Sequence, residues 1–183
     1  SAIGNATTAS GDYSTAMGYQ STASGWYSIA MGYQSTASGS YCTAMGYDAT
    51  TSANFSTAMG SFTTASGINS TAMGYDTKAS EYYSTAMGMS TTASGNSSTA
   101  MGRITTAKGW YSTAMGYDTT ASDYASLVIG QYNSSGSSVT NNRHYFNTAN
   151  TAFVIGNGTA SNAKSDAFKV MFNGDTTISN DLT

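Results

Sequence analysis

The stretch Ser14-Thr15-Ala16-Met17-Gly18 returns every fourteen residues from the start of the sequence to Gly130. Its glycine stands in register, without insertion or deletion, at Gly4, Gly18, Gly32, Gly46, Gly60, Gly74, Gly88, Gly102, Gly116 and Gly130. A second phrase, Thr22-Ala23-Ser24-Gly25, recurs half a period later. A fixed period dictates the architecture, because every copy forms the same unit and packs on the next one.

The composition of each repeat favours strands over helices. Two glycines, several threonines and few Leu, Glu or Lys residues make a long coiled-coil helix unfavourable. The alternation around Ala16 and Met17 is typical of an extended segment with two different faces. Fourteen residues suffice for two strands of about five residues and two tight turns. The sequence therefore predicts an all-β protein, a parallel β-solenoid of ten coils over residues 1–130.

The two faces of the repeated strand carry different side chains. Ala16 and its copies form an unbroken column of small residues, flanked by Ser14 and Gly18 on the same parity, which fits a narrow interior. Thr15 and Met17 point the other way. The methionines either fill the core of the roll itself or pack against other copies of the chain around a symmetry axis. We favour the second interpretation, because a long exposed apolar band usually marks an association surface.

These two phrases resemble the head repeat of trimeric autotransporter adhesins, the YadA-like or Hep/Hag repeat, over residues 1–130. The resemblance implies a left-handed parallel β-roll, assembled as a homotrimer whose axis is lined by the apolar column. Here Met and Thr replace the Ile and Val more usual in the family, and methionine adapts well to irregular gaps. The implied trimer core, called the methionine column below, is Ile3, Met17, Met31, Met45, Met59, Met73, Met87, Met101, Met115 and Ile129.

Aromatic residues concentrate at the turns, which are the positions where the repeats of a solenoid differ from one another. Rings beside Asp, Asn and Gln are typical of recognition surfaces and also stack on sugar faces. The alternative is that they form ladders that only cover the corners of the roll. The candidate surface-binding residues are Tyr19, Trp26, Tyr27, Tyr33, Tyr41, Tyr47, Phe55, Tyr75, Tyr82, Tyr83, Trp110, Tyr111 and Tyr117.

The repeat stops after Gly130, and the remaining sequence divides in two. Residues 131–150 are polar and form a predicted connector, which contains the single histidine, His144. Residues 151–183 form a predicted β-rich transition segment that leads to a missing downstream domain. Its signals are an echo of the repeat at 151–156, strand patterns at 167–172 and 176–179, and turn signals at 157–158 and 173–175. This segment resembles the transition segments of trimeric phage tail-fibre proteins.

Composition and motifs argue against several function classes. Only 8% of residues are charged and the net charge is −3, so the basic surface of a nucleic-acid binder is missing. No apolar run is long enough for a membrane span, and we expect no direct membrane insertion of this segment. One histidine and scattered acids predict no catalytic group, no metal site and no cofactor. Cys42 stands in a serine column and is predicted to be a buried substitute for serine.

The predicted function is that of an extracellular, trimeric surface-fibre head on a bacterial cell or a phage particle. It would attach to a host-surface glycan or protein through its exposed turns, with avidity from the repeated chains. A purely structural shaft or spacer is the main alternative. A lattice-binding or ice-binding solenoid is a weaker one, because Lys78 interrupts the threonine column and bulky tyrosines flank it.

Overall fold

The computed structural model describes residues 1–134 and 142–179, and these form two compact units, Ser1–Ser90 and Thr91–Thr183. Every regular element among the described residues is a β-strand. Residues 135–141 of the predicted connector and 180–183 of the predicted transition segment lie outside the described residues.

The first unit alternates long and short strands. In chain order they are β1 (Ala2–Asn5), β2 (Thr8–Ala9), β3 (Thr15–Tyr19), β4 (Thr22–Ala23), β5 (Ile29–Tyr33), β6 (Thr36–Ala37), β7 (Thr43–Tyr47), β8 (Thr50–Thr51), β9 (Thr57–Ser61), β10 (Thr64–Ala65), β11 (Thr71–Tyr75), β12 (Lys78–Ala79) and β13 (Thr85–Met89). The odd-numbered strands form one parallel sheet and the even-numbered strands form the other.

The second unit continues the alternation and then ends in an antiparallel hairpin. Its strands are β14 (Thr92–Ala93), β15 (Thr99–Arg103), β16 (Thr106–Ala107), β17 (Thr113–Tyr117), β18 (Thr120–Ala121), β19 (Leu127–Gln131), β20 (Thr151–Asn157), β21 (Asp166–Met171) and β22 (Thr176–Ile178). The order in the larger sheet of this unit is β15-β17-β19-β20-β21-β22, and β14-β16-β18 form the smaller one.

Pairing between coils confirms the parallel β-solenoid. Met17 pairs with Met31, and Gly18 pairs with Gly32, so equivalent positions of successive repeats lie side by side. The strands within a coil differ from the prediction of two similar strands, since one has five residues and the other only two, as in β3 and β4. Non-glycine residues with positive φ stand at every seventh position, such as Gln20 at 52° and Tyr27 at 52°, and divide each coil into two halves of equal length. In the half with the short strand, a bend and turn at residues 25–27 take up the remaining length.

The interior of the roll is built from small side chains, as predicted. Ala16 and Ala23, from the long and the short strand, are both 0% exposed, and so are their alanine copies from Ala30 to Ala121, whereas Ala2 and Ala9 of the first coil are not buried. Ser28 at the corner is equally buried, and its hydroxyl donates to the Gly25 carbonyl at 2.7 Å. Alanine, serine and threonine, with Cys42 at one serine position, fill the interior of the first unit, and no methionine of that unit is buried.

The repeated glycine is the one position of the long strand that departs from the predicted parity. Gly18 is exposed rather than interior. At Gly60 the backbone adopts a φ of 126°, and a Cβ atom would lie 2.0 Å from the Gly74 carbonyl oxygen. Any side chain here would collide with the backbone of the next coil, so glycine is required for both conformation and space.

β20 belongs to the larger sheet of the second unit. It pairs in parallel with β19, matching Val128 to Val154 and Gly130 to Gly156. The predicted strands at 167–172 and 176–179 correspond to β21 and β22, which pair in antiparallel fashion across the turn at Gly174. The boundaries of the predicted connector and transition segment stay a prediction.

Candidate functional site

The methionine column lies on the outer face of the long-strand sheet. Met59 and Met73 are each 38% exposed, whereas Ala58 beside Met59 is fully buried. The two methionines belong to neighbouring strands and stand directly opposite each other. The interpretation that methionine fills the core of the roll itself is therefore wrong. Ile3 is 58% exposed, and the remaining members of the column are half-buried or exposed: Met17, Met31, Met45, Met87, Met101, Met115 and Ile129.

One corner of the first unit carries four aromatic rings stacked face to face. In this first ladder Tyr13 and Tyr27 have ring centroids 4.7 Å apart and planes inclined by 8°. Tyr27 and Tyr41 follow at 5.0 Å, and Tyr41 and Phe55 at 5.2 Å. Each inner ring is thus covered on both faces by its neighbours, and only edges and hydroxyl groups remain open to solvent.

The opposite corner carries a second ladder of Tyr19, Tyr33 and Tyr47. Their centroids lie 5.1 and 4.9 Å apart with nearly parallel planes. Phe62 then meets Tyr47 edge to face, and Tyr75 meets Phe62 in the same way. These rings therefore form a ladder along this corner, and their role as surface-binding residues stays a prediction.

Trp26, Tyr82 and Tyr83 differ from the ladders, because none of them has an aromatic neighbour among the described residues. They are 57%, 48% and 60% exposed, respectively. Trp26 stands between Asp12 and Ser40 in its corner column, as the bonds from Tyr27 N to Asp12 O and from Tyr41 N to Trp26 O show. No other ring of the described residues is stacked on the indole, and the residues one coil away, Asp12 and Ser40, are short.

The second unit places its candidate rings in different surroundings. Trp110 is half-buried rather than exposed, because the segment from Asn142 to Tyr145 lies against it. Its amide donates to the Arg143 carbonyl at 2.7 Å, and its ring lies 5.0 Å from that of His144. Tyr117 is also half-buried, between Arg103 and Tyr132. Tyr111 stays 52% exposed and meets Tyr124 edge to face.

Two buried polar groups complete the account of the predicted sites. Cys42 is fully buried, as predicted, and donates from Sγ to the Gly39 carbonyl, the same bond that the corner serines make. Burial raises the pKa of its thiol. Asp123, in the second unit, is 1% exposed, and its carboxylate accepts a bond from the Thr151 amide at 2.8 Å.

Within the described residues, no group of three or more His, Cys, Asp or Glu side chains could hold a metal ion. The same residues include no helix long and apolar enough to cross a membrane.

Comparison with known families adds the decisive observation. The family described as the YadA head domain repeat matches residues 1–21, 23–41, 43–63, 65–91, 84–103, 93–117 and 107–133. The chain belongs to the YadA head family. This is a family of adhesins rather than enzymes, and its heads are surface-exposed, form homotrimers and bind host surfaces in general. No curated protein matches the chain.

The matched residues end in the first part of the connector. The family match therefore does not cover the predicted transition segment. The resemblance of that segment to tail-fibre proteins stays a prediction. The same is true of the left-handed sense of the roll.

Proposed function

We propose that this YadA head is the extracellular part of a homotrimeric adhesin of a bacterial surface, and that it attaches to a host surface through its corner residues. The observation that supports trimer formation is the methionine column, a stripe of half-buried and exposed apolar side chains along the outer face of the long strands. Such a stripe is unfavourable in water and is removed from it when equivalent faces meet around an axis.

The corner residues lie outside the proposed trimer core, so they remain available for attachment. In the first unit they carry the two ladders and the uncovered rings of Trp26, Tyr82 and Tyr83. Because a trimer presents every such group three times, a weak contact at one corner gains avidity.

The trimer is tested by solution mass. The wild-type chain is expected to have the mass of a trimer by light scattering, and Met59→Asp with Met73→Asp is expected to give monomers. The reason is that carboxylates on the axis would lose their water and face like charges. The matched control is Thr50→Asp with Thr64→Asp, which places the same charges on neighbouring short strands and should leave the trimer intact.

Attachment is tested separately, by binding of the fluorescently labelled trimer to cultured epithelial cells and to purified matrix proteins. The monomeric variant is expected to bind far more weakly than the wild-type trimer, through loss of avidity. A trimer that attaches to none of these surfaces would favour the second candidate, a shaft or spacer. That candidate is supported by the regularity of the roll itself, which keeps one backbone geometry through successive coils.

A further inference from the structure

The inner rings of the two ladders, Tyr27, Tyr41 and Tyr33, cannot offer a face to a ligand, because another ring is stacked on both faces of each. In the first ladder the ring planes are inclined by at most 8° and the centroids lie at most 5.2 Å apart. The end rings, such as Tyr13 and Phe55, have a ring on one face only. Trp26 is the largest aromatic ring of this unit whose faces carry no other ring.

The polar groups beside Trp26 are acceptors and hydroxyls. Asp12 precedes it by one coil and Ser40 follows it by one coil, each at the same position of the repeat. Successive coils are about 4.8 Å apart, so both residues stand one coil away from Trp26, on either side of it. A flat apolar face bordered by a carboxylate and a hydroxyl matches a pyranose ring, which has one face of C–H groups and a rim of hydroxyls.

The charge of this region narrows the class of sugar. The sequence contains no Lys or Arg before Lys78, whereas Asp12, Asp48 and Asp76 are all acidic. A sialylated or sulfated glycan would meet carboxylates and no cation, which is unfavourable. The region therefore suits an uncharged sugar.

We propose that Trp26, with Asp12 and Ser40, forms a subsite for a neutral hexose or N-acetylhexosamine unit of a glycan. Trp26 supplies the stacking face and Asp12 accepts hydrogen bonds from sugar hydroxyls. This inference rests on the proposed attachment function and names the chemistry that one corner of the head recognises.

The alternative occupant of an indole beside a carboxylate is a cation, held by the ring face and by the negative charge. The two occupants differ in their dependence on Asp12. Asn in its place keeps the acceptor oxygen for a sugar hydroxyl and removes the charge that a cation needs, so Asp12→Asn separates them.

The experiment uses Trp110→Phe, which leaves Trp26 as the only tryptophan. The emission of Trp26 in the trimer is titrated with soluble neutral oligosaccharides of glucose, galactose, mannose and N-acetylglucosamine, with sialylated and sulfated counterparts, and with tetramethylammonium. A saturable change with at least one neutral oligosaccharide, retained in Asp12→Asn, is the expected result. A response to anionic glycans alone, to tetramethylammonium alone, or to none of the probes would overturn the proposal.

Glycan-coated surfaces provide the second readout and the matched control. Trp26→Ala is expected to weaken binding at least about tenfold, as truncation of an aromatic anchor does. Ile68→Ala truncates an apolar side chain at the same repeat position three coils away, outside the subsite, so it should leave binding unchanged. Equal binding by wild type and Trp26→Ala would refute the subsite. If host cells still bound the trimer in that case, only the subsite would fail and the attachment function would stand.

Discussion

The corner residues adopt a backbone conformation that most side chains avoid. From Ala6 to Tyr132, every seventh residue has a φ between 44° and 60° and is not glycine. Only Asn and Asp tolerate this left-handed region easily, and other residues lose about 1 kcal/mol or more there. The roll therefore holds local strain at each corner, and stacking or hydrogen bonding along the column must offset it.

Ile104 is the corner residue least suited to its conformation, because it is β-branched and has a φ of 58°. Ile104→Asn is expected to raise the free energy of unfolding by about 1 kcal/mol. The matched reverse change is Asn69→Ile, at a φ of 57°, which should lower it by a similar amount. Chemical denaturation of both variants measures the difference, and a loss of stability in Ile104→Asn would show that packing of the isoleucine outweighs the strain.

The column of buried hydroxyl groups at Ser35 and its repeat equivalents gives a second prediction about single residues. Ser35 donates to the Gly46 carbonyl at 3.0 Å, whereas the hydroxyl of Thr77, at the same repeat position, has no partner among the described residues. Thr77→Val removes an unpaired buried polar group without changing shape and should leave stability equal or raise it by about 1 kcal/mol. Ser35→Ala should lower it by about 1 kcal/mol. Thermal unfolding compares them, and a clear loss in Thr77→Val would indicate a buried water on that hydroxyl.

The ladders act at the scale of the element, because each ring stabilises the coils on either side of it. Tyr27 stacks on both Tyr13 and Tyr41, whereas Tyr13 stacks on Tyr27 alone. With about 0.5–1.5 kcal/mol for each aromatic pair, Tyr27→Ala should destabilise the head roughly twice as much as Tyr13→Ala. Denaturation of the two single variants and of the double variant measures the coupling. Equal effects of the two single changes would mean that the rings do not interact along the column.

The sequence alone predicts the coil well and the corners poorly. The period of Gly18 and the alternation of Ala16 and Met17 suffice for the solenoid and for which side chains point inward, because identical repeats must stack in register. The two-residue short strand could not be predicted, since it already ends at Ala23 and the repeat carries no turn signal at that residue. The left-handed conformation at Tyr27, which leads the chain into the next long strand, likewise has no signature in a tyrosine.

The sequence alone predicts that the candidate site consists of aromatic residues at the turns, but not which rings have an open face. Aromatic letters at the turns indicate exposed rings, yet Trp26 and Tyr41 look alike in sequence. Only the identity of the residue one coil away, Ser40 for Trp26 and Tyr27 for Tyr41, decides whether a face is covered. The cover on Trp110 comes from residues 142–145, which follow no repeat and therefore could not be placed from periodicity.

At the scale of the whole molecule, oxidation of methionine distinguishes the assembled head from the single chain. Met73 in the methionine column and Met89 at a corner are 38% and 37% exposed in one chain. Hydrogen peroxide should therefore oxidise both at similar rates in a monomer that keeps Met73, such as Met45→Asp with Met59→Asp. In the trimer Met89 should react as before and Met73 much more slowly, because the axis excludes the oxidant. Peptide mass spectrometry measures the two rates, and equal rates in the wild type would place the column outside the interface.

The equal spacing of the methionine column also has a consequence for how three chains find each other. A column that repeats coil after coil fits the neighbouring chains almost as well when one chain is shifted along the axis by one coil. The repeats alone therefore leave the alignment of the chains nearly degenerate. The bulkier, non-repeating side chains of Phe153 and Ile155 on β20, which match Leu127 and Ile129 of β19, break this degeneracy. We expect the end of the head that contains β20 to set the register of the three chains, so that trimer assembly begins there.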